Sequence, residues 1–262
     1  MKLGIQISSV KKYLQTAEDV MESFKKCADI GYKYIQIQWI GEKVSMGDVK
    51  KALDESGLIC TGTQDYYEDV IPQLDIIIKM NELWGSRHVC VSRIPDRFRT
   101  REGLGLLADE MHKSAKKLEA AGMILQFHPI VNDYDLLDGK PMIDILTEKM
   151  PQNVQILLDF FHVFKAGLDP VERTRQLKGR VEHVHFKDSK KPGISGIPGI
   201  PGKQQETRLT PVGQGEIDWP PIIRACNEAG VKFCFAEQEQ WEKDAFLCLR
   251  ESYDYIMGCL KN

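Results

Sequence analysis

Short β-rich runs alternate with longer amphipathic runs along the chain, and the pair recurs eight times. Leu3–Ser8 reads as the first strand. Thr16–Ile30 follows as a helix, with Val20, Phe24, Cys27 and Ala28 on one face and Gly31 as the stop. Tyr32–Ile40, Leu58–Gln64, His88–Ile94 and Met123–Pro129 are strands two to five. Their helices span Met46–Ser56, Val70–Leu83 with Pro72 in its first turn, Arg101–Ala121 and Pro141–Lys149. Val154–His162 is the sixth strand, and Asp169-Pro170 caps and opens a helix to about Lys178. Val181–Asp188 is the seventh, with a helix from Asp218-Trp219-Pro220 to near Gly230. Lys232–Glu239 and Phe246–Leu260 complete the pattern.

Strands that alternate with helices imply a parallel sheet. Eight cycles in 262 residues imply an α/β fold closed as a (β/α)8 barrel of eight parallel strands, a single domain over 1–262. Such a barrel needs roughly 250 residues. An open doubly wound sheet would want a Gly-rich phosphate loop after the first strand, and Ser8-Ser9-Val10-Lys11-Lys12 is not one. Only Ser189–Gln214 breaks the rhythm: it lacks apolar periodicity and carries Gly-Ile-Pro units between Gly193 and Gly202. Following the seventh strand, it is expected to be a loop or lid on the catalytic face.

The net charge of −3 and the lack of a long basic run argue against nucleic acid or an anionic membrane as partner. No run approaches the roughly 20 apolar residues of a membrane span, and the amino terminus reads as a strand rather than a signal peptide. The seven cysteines are odd in number and form no CxxC pair, as expected of buried reduced thiols in the cytoplasm.

Barrels of this type build their sites at the carboxyl ends of the strands. The fifth strand ends at His128, the sixth carries Asp159 and His162, the seventh His183, His185 and Lys187, and the eighth Glu237. Four consecutive strands thus deliver His128, Asp159, His185 and Glu237 to one rim, a donor set suited to one Mn²⁺, Mg²⁺, Co²⁺ or Zn²⁺ ion, with Mn²⁺ favoured. His183 and His185 share a face at period two, and His185 lies nearer the carboxyl end.

At these residues the chain resembles the xylose-isomerase-like TIM-barrel superfamily of sugar isomerases and epimerases. The resemblance rests on Gly31-Tyr32-Lys33-Tyr34-Ile35-Gln36-Ile37, Leu158-Asp159 with His162, Val184-His185-Phe186-Lys187-Asp188, Val212-Gly213-Gln214-Gly215-Glu216-Ile217-Asp218-Trp219 and Ala236-Glu237-Gln238. It implies that Asp159, His185 and Glu237 are metal ligands, that His162 contacts substrate oxygen, and that Lys187 faces the substrate. The departure lies at the fifth strand. Many members place a ligating Glu there, and one subgroup reads Tyr-His-Asn-His-x-Phe-Glu-Phe. This chain reads Phe127-His128-Pro129-Ile130-Val131-Asn132-Asp133-Tyr134, which keeps the first His and loses the Asn and the second His.

The expected activity is isomerisation or epimerisation of a small sugar or keto-sugar by proton abstraction beside a carbonyl, through a metal-stabilised enediolate. Glu237 is the candidate base and His128 the second catalytic group. Trp39 and Trp241 are candidate apolar walls for the sugar. Gly213–Gly215 reads as a tight turn before the helix cap, with a phosphate cradle as the lesser alternative. Two other outcomes stay open: a metal-dependent dehydratase of a keto-inositol or keto-sugar, and a non-catalytic barrel or subunit of a partner complex. A DNA-repair nuclease fits poorly with 6 His and a negative balance. Apolar residues on the outer helices could support a homo-oligomer.

Overall fold

The computed structural model describes residues 1–190 and 208–261. Eight parallel strands form its sheet: β1 (Lys2–Gln6), β2 (Tyr34–Ile37), β3 (Ile59–Tyr66), β4 (His88–Ser92), β5 (Ile124–His128), β6 (Gln155–Ile156 and Leu158–Asp159), β7 (His183–Phe186) and β8 (Phe233–Ala236). The break in β6 closes the barrel. Its first half pairs with β5 through Phe127↔Ile156, and its second half pairs with β7 through His185↔Asp159. Leu157, between the halves, still donates its N–H to the Phe127 carbonyl at 2.9 Å. The ring is completed where β1 lies between β2 and β8.

The helices are α1 (Ala17–Ile30), α2 (Met46–Ser56), α3 (Leu74–Trp84), α4 (Arg101–Ala120), α5 (Met142–Lys149), α6 (Pro170–Gln176), α7 (Trp219–Ala229) and α8 (Ala245–Lys261). Several start on side-chain caps visible in the sequence. Thr16 with Asp19 and Ser45 with Asp48 form reciprocal capping boxes, and Asp169 accepts the Val171 and Glu172 N–H groups. α2 ends on Gly57 at φ 72°, a left-handed turn that glycine adopts freely. Phe160, Phe186 and Trp219 are fully buried and mutually in contact, with Phe186 and Trp219 centroids 4.7 Å apart. They tie β6, β7 and α7 together beneath the carboxyl rim.

Several boundaries differ from the sequence expectation. β1 ends at Gln6, and Ile7–Tyr13 forms 3-10 turns instead of extending the strand. Pro72 does not begin a helix over Val70–Leu83. A single turn at Tyr67–Val70 stops, Pro72 sits in the bend, and α3 begins at Leu74, because proline inside a helix lacks the needed N–H and clashes with the preceding turn. β6 ends at Asp159 rather than His162. The Asp159 carboxylate accepts the His162 N–H at 3.1 Å and starts a short helix, Phe160–Lys165, that carries His162. The ends of the expected 189–214 loop are paired: Asp188–Lys190 runs antiparallel to Arg208–Thr210. Its middle, 191–207, with the Gly-Ile-Pro units, lies outside the described residues. An unforeseen hairpin joins Leu136–Leu137 to Lys140–Pro141 through Asp138 at φ 52° and Gly139 at φ 80°. All seven cysteines are free, and no helix among the described residues is long and apolar enough to cross a membrane.

Asp188, fully buried two residues beyond β7, organises the segment before α7. Its carboxylate accepts the N–H groups of Ser189 (2.8 Å), Gly213 (3.0 Å), Gly215 (3.1 Å) and Ile217 (3.4 Å), and the Trp219 indole N–H (2.9 Å). A Cβ on Gly215 would lie 2.0 Å from Asp188 Oδ1, so only glycine fits there. The Gly213–Gly215 turn is therefore a cradle for an internal carboxylate, which fills the place a phosphate would take. Asp218, expected to cap α7, makes no side-chain cap bond. Asp188→Asn would turn an amide N–H₂ toward these donors. It is expected to lower unfolding free energy by about 3 kcal/mol in a urea titration, and an unchanged midpoint would contradict the anchoring role.

Candidate metal centre

Pleat and register put His128, Asp159 and His185 side by side. Residues of one strand that face the interior alternate, and the pairings Ser92↔His128 and His185↔Asp159 bring the β4 to β7 ends level. One ligand atom from each of His128, Asp159 and His185 lies within 4.8 Å of the others. Glu237 follows β8 directly, and its Oε2 stands 3.0 Å from His185 Nδ1. His185 Nδ1 and His128 Nε2 lie 3.8 and 3.7 Å from Asp159 Oδ2. All four side chains are buried.

Each of the four has one polar atom held by the protein and a second left over. The His128 Nδ1–H reaches Ser92 Oγ at 3.0 Å, Asp159 Oδ1 accepts the His162 N–H, and the His185 Nε2–H donates to Gln36 Oε1 at 2.6 Å. Ser8 Oγ donates to Glu237 Oε1 at 3.3 Å. The remaining atoms, His128 Nε2, Asp159 Oδ2, His185 Nδ1 and Glu237 Oε2, are buried without a hydrogen-bond partner. The His185–Glu237 approach is close yet out of line for a hydrogen bond. Ligands held about 2.1 Å from one ion lie about 3.0–3.5 Å apart, close to the spacings seen here. One carboxylate oxygen and two imidazole nitrogens, from His128, Asp159 and His185, lie close enough together to fit a divalent cation, and Glu237, 3.0 Å from His185, stands beside that trio rather than within it.

The electrostatics agree. Burial opposes the charge on Asp159, but the imidazoles and Lys187 around it hold its carboxyl well below the usual range. Burial likewise opposes the charge on Glu237, and Lys187 and His185 outweigh it to keep the carboxylate ionised. Burial lowers the His128 pKa, which keeps its imidazole neutral. His185 goes the other way. Burial disfavours its imidazolium, yet Glu237 and Asp159 raise its pKa to about 9. Without an ion, a proton on His185 thus takes up the charge deficit of the site.

Gln36 belongs to a chain of buried amides across β1–β3. Gln6 Nε2 donates to Gln36 Oε1 at 3.2 Å, and Gln36 Nε2 to Gln64 Oε1 at 3.4 Å. This chain fixes the tautomer of His185 and leaves Nδ1 for the ion. Ser8, Ser92 and Gln36 were not singled out from sequence, although Gln36 lies within the second-strand signature.

Lys187 Nζ donates to Glu239 Oε1 at 2.8 Å and stands 3.9 Å from Glu237 Oε2. Lys187, Glu239, Phe161 and Lys11 line a cavity of about 270 Å³ at the rim. His162 lies beside the cluster: its Nδ1 accepts the Val131 N–H at 3.2 Å, and Nε2 is 3.8 Å from Asp159 Oδ2. Burial lowers its pKa to about 4, so the ring is neutral with its proton on Nε2. The two tryptophans lie farther out. Trp39 is half-buried beside Tyr66, and Trp241 packs on Tyr13 and donates to the Gln238 carbonyl at 2.9 Å.

The family model for the xylose isomerase-like TIM barrel matches residues 24–251. Curated relatives include a 3-dehydroshikimate dehydratase of Bacillus anthracis, 36% identical over 77 residues, covering 25% of this chain and 27% of that protein. An inosose dehydratase of Clostridium perfringens is 26% identical over 144 residues, covering 51% of this chain and 46% of the relative. These matches span less than half the relatives' own lengths. Among solved structures, a sugar phosphate isomerase/epimerase from Parabacteroides distasonis superposes with a TM-score of 0.78 at 17% identity, covering 97% of this chain and 93% of the other. The IolI protein with a bound zinc atom does so at 0.74 and 16% identity, covering 99% and 98%. The family match over most of the chain, on a barrel with these strand-end residues, makes the protein a member of the xylose isomerase-like TIM barrel family.

Proposed function

We propose that the chain is a divalent-metal-dependent isomerase or epimerase of a small sugar or keto-sugar, with Mn²⁺ as the favoured ion. The observation that carries this reading is the clustering of three buried atoms without hydrogen-bond partners, from His128, Asp159 and His185, with the free Glu237 Oε2 3.0 Å from His185, near a small rim cavity. The sugar phosphate isomerase/epimerase of similar fold and the zinc atom in the IolI structure are consistent with it.

His128, Asp159, His185 and Glu237 would hold the ion, which when bound supplies a Lewis acid for a carbonyl oxygen and its neighbouring hydroxyl. Glu237 is the base that removes the proton from carbon beside the carbonyl. Lys187, at 3.9 Å, keeps that carboxylate ionised and ready. His162 offers a neutral Nε2–H to a substrate oxygen, its tautomer set by the Val131 N–H. Lys187, seated on Glu239 and held firmly protonated by the carboxylates around it, is placed to donate a hydrogen bond to a hydroxyl. His128 serves as ligand and, if released from that role, as the second proton carrier.

The same deprotonation followed by loss of a β-hydroxyl gives a dehydratase. One observation favours that second reading: the curated relatives named as dehydratases. Incubation with keto-sugars and keto-inositols separates the two by product mass. Loss of water marks the lyase, and an unchanged mass with altered configuration marks the isomerase.

Three outcomes are expected. Chelator-treated protein should bind about one Mn²⁺ and release about one proton from His185 at neutral pH, because a group raised to about 9 is protonated until the ion displaces it. Apparent affinity should therefore climb as pH rises toward that value, measured by calorimetry in two buffers of different ionisation heat. Binding without proton release would contradict it. Gln36→Met should weaken Mn²⁺ binding about 10–100-fold while leaving the melting temperature near wild type, whereas wild-type affinity would remove Gln36 from its orienting role. Glu237→Gln should reduce turnover about 10²–10⁴-fold with circular dichroism unchanged, and full activity would exclude Glu237 as the base.

A further inference from the structure

The metal ligands come from β5–β8. The opposite half of the rim, at the carboxyl ends of β1–β4, carries a feature the proposed chemistry does not use. Trp39, just after β2, and Tyr66, the last residue of β3, have ring centroids 6.4 Å apart. Lys11 Nζ lies over the Trp39 ring at 4.6 Å, and the Arg93 guanidinium over the Tyr66 ring at 4.9 Å. All four side chains are half-buried. Two aromatic faces with a cation on each flank thus form one continuous wall.

This wall adjoins the metal centre at both ends. Lys11 lines the same cavity as Lys187, whose Nζ stands 3.9 Å from Glu237. Arg93 follows Ser92, the partner of His128, and its N–H donates to the His128 carbonyl at 2.9 Å. Among the described residues, neither Lys11 nor Arg93 forms an ion pair with a carboxylate, and Arg93 Nε is buried with no hydrogen-bond partner. Lys187 is different, since Glu239 neutralises it at 2.8 Å. Trp39 and Arg93 also hold left-handed backbones, φ 57° and 56°, which bulky residues adopt only where the surroundings enforce it. That conformation sets where the indole and the guanidinium stand.

We propose that this half of the rim selects a substrate bearing an anionic group: Trp39 and Tyr66 pack the carbon face of the sugar while Lys11 and Arg93 hold a carboxylate or phosphate remote from the reacting carbons. The proposal rests on the small-sugar reading above and narrows it to sugar acids or sugar phosphates. The chemistry is general. Cations stacked on rings keep their outward N–H groups for an oxyanion, and a charge-assisted pair at a sheltered rim is stronger than one in open water.

The test uses three matched sugars: D-fructose, D-fructose 6-phosphate and D-fructuronate, titrated by calorimetry into Mn²⁺-loaded protein. One of the two anionic sugars should bind at least about tenfold tighter than fructose, and which one it is identifies the anionic group. Arg93→Met and Lys11→Met should each remove most of that preference while leaving fructose binding and Mn²⁺ binding as in wild type. Equal binding of all three sugars, or an undiminished preference in both variants, would overturn the proposal. Mn²⁺ binding is measured separately in the same samples, so a protein that prefers the anion but takes up no Mn²⁺ would refute the metal reading and uphold this one.

Discussion

Two buried carboxylates, Asp159 and Glu237, stand against the imidazoles of His128 and His185 at the carboxyl end of the barrel. An unpaired buried polar atom costs about 1–3 kcal/mol, and more for a charge. Four such atoms lie there: His128 Nε2, Asp159 Oδ2 and His185 Nδ1 in one cluster, and Glu237 Oε2 next to His185. The surroundings are built to keep them apart from one another and free. Ser92, the His162 N–H, Gln36 and Ser8 each occupy the other polar atom of one member. A site that only needed internal pairing would let these side chains turn toward each other. Here each is held by its far side, as in centres whose outer hydrogen bonds fix the ligands before an ion arrives.

The barrel supplies that geometry through two constraints. The interruption of β6 at Leu157 lets one strand serve both β5 and β7, and it delivers Asp159 opposite His185. The five donors on Asp188 then hold the chain after β7 against the start of α7. Lys187 is thereby flanked by His185 and by Asp188, both fixed. The wall of Lys11, Trp39, Tyr66 and Arg93 stands on the opposite half of the rim. Chemistry and recognition are assigned to different halves of one ring of strands.

The eightfold alternation was legible because each strand and helix carries its own period and its own stop signal. The four candidate ligands were legible because strand ends in a barrel meet in space wherever they lie in sequence. Boundaries were less so. Pro72 and the capping carboxylate of Asp159 override apolar runs that read as continuous, and the Asp138-Gly139 turn is a strong short hairpin signal whose flanking strands are only two residues each. The second layer was not legible at all. Gln36 and His185 are 149 residues apart, Ser8 and Glu237 229, and Ser92 and His128 36. Such pairs have no spacing rule, and a lone Ser or Gln in a strand carries no signal of its partner. The Lys11–Arg93 wall was hidden for the same reason, with only Trp39 noted.

The most direct measurement is a crystal soaked in Mn²⁺ and recorded at the manganese absorption edge. A single anomalous peak within about 2.5 Å of His128 Nε2, Asp159 Oδ2, His185 Nδ1 and Glu237 Oε2 is the predicted result. Density maps with no peak there, or with one on other side chains, would contradict the account.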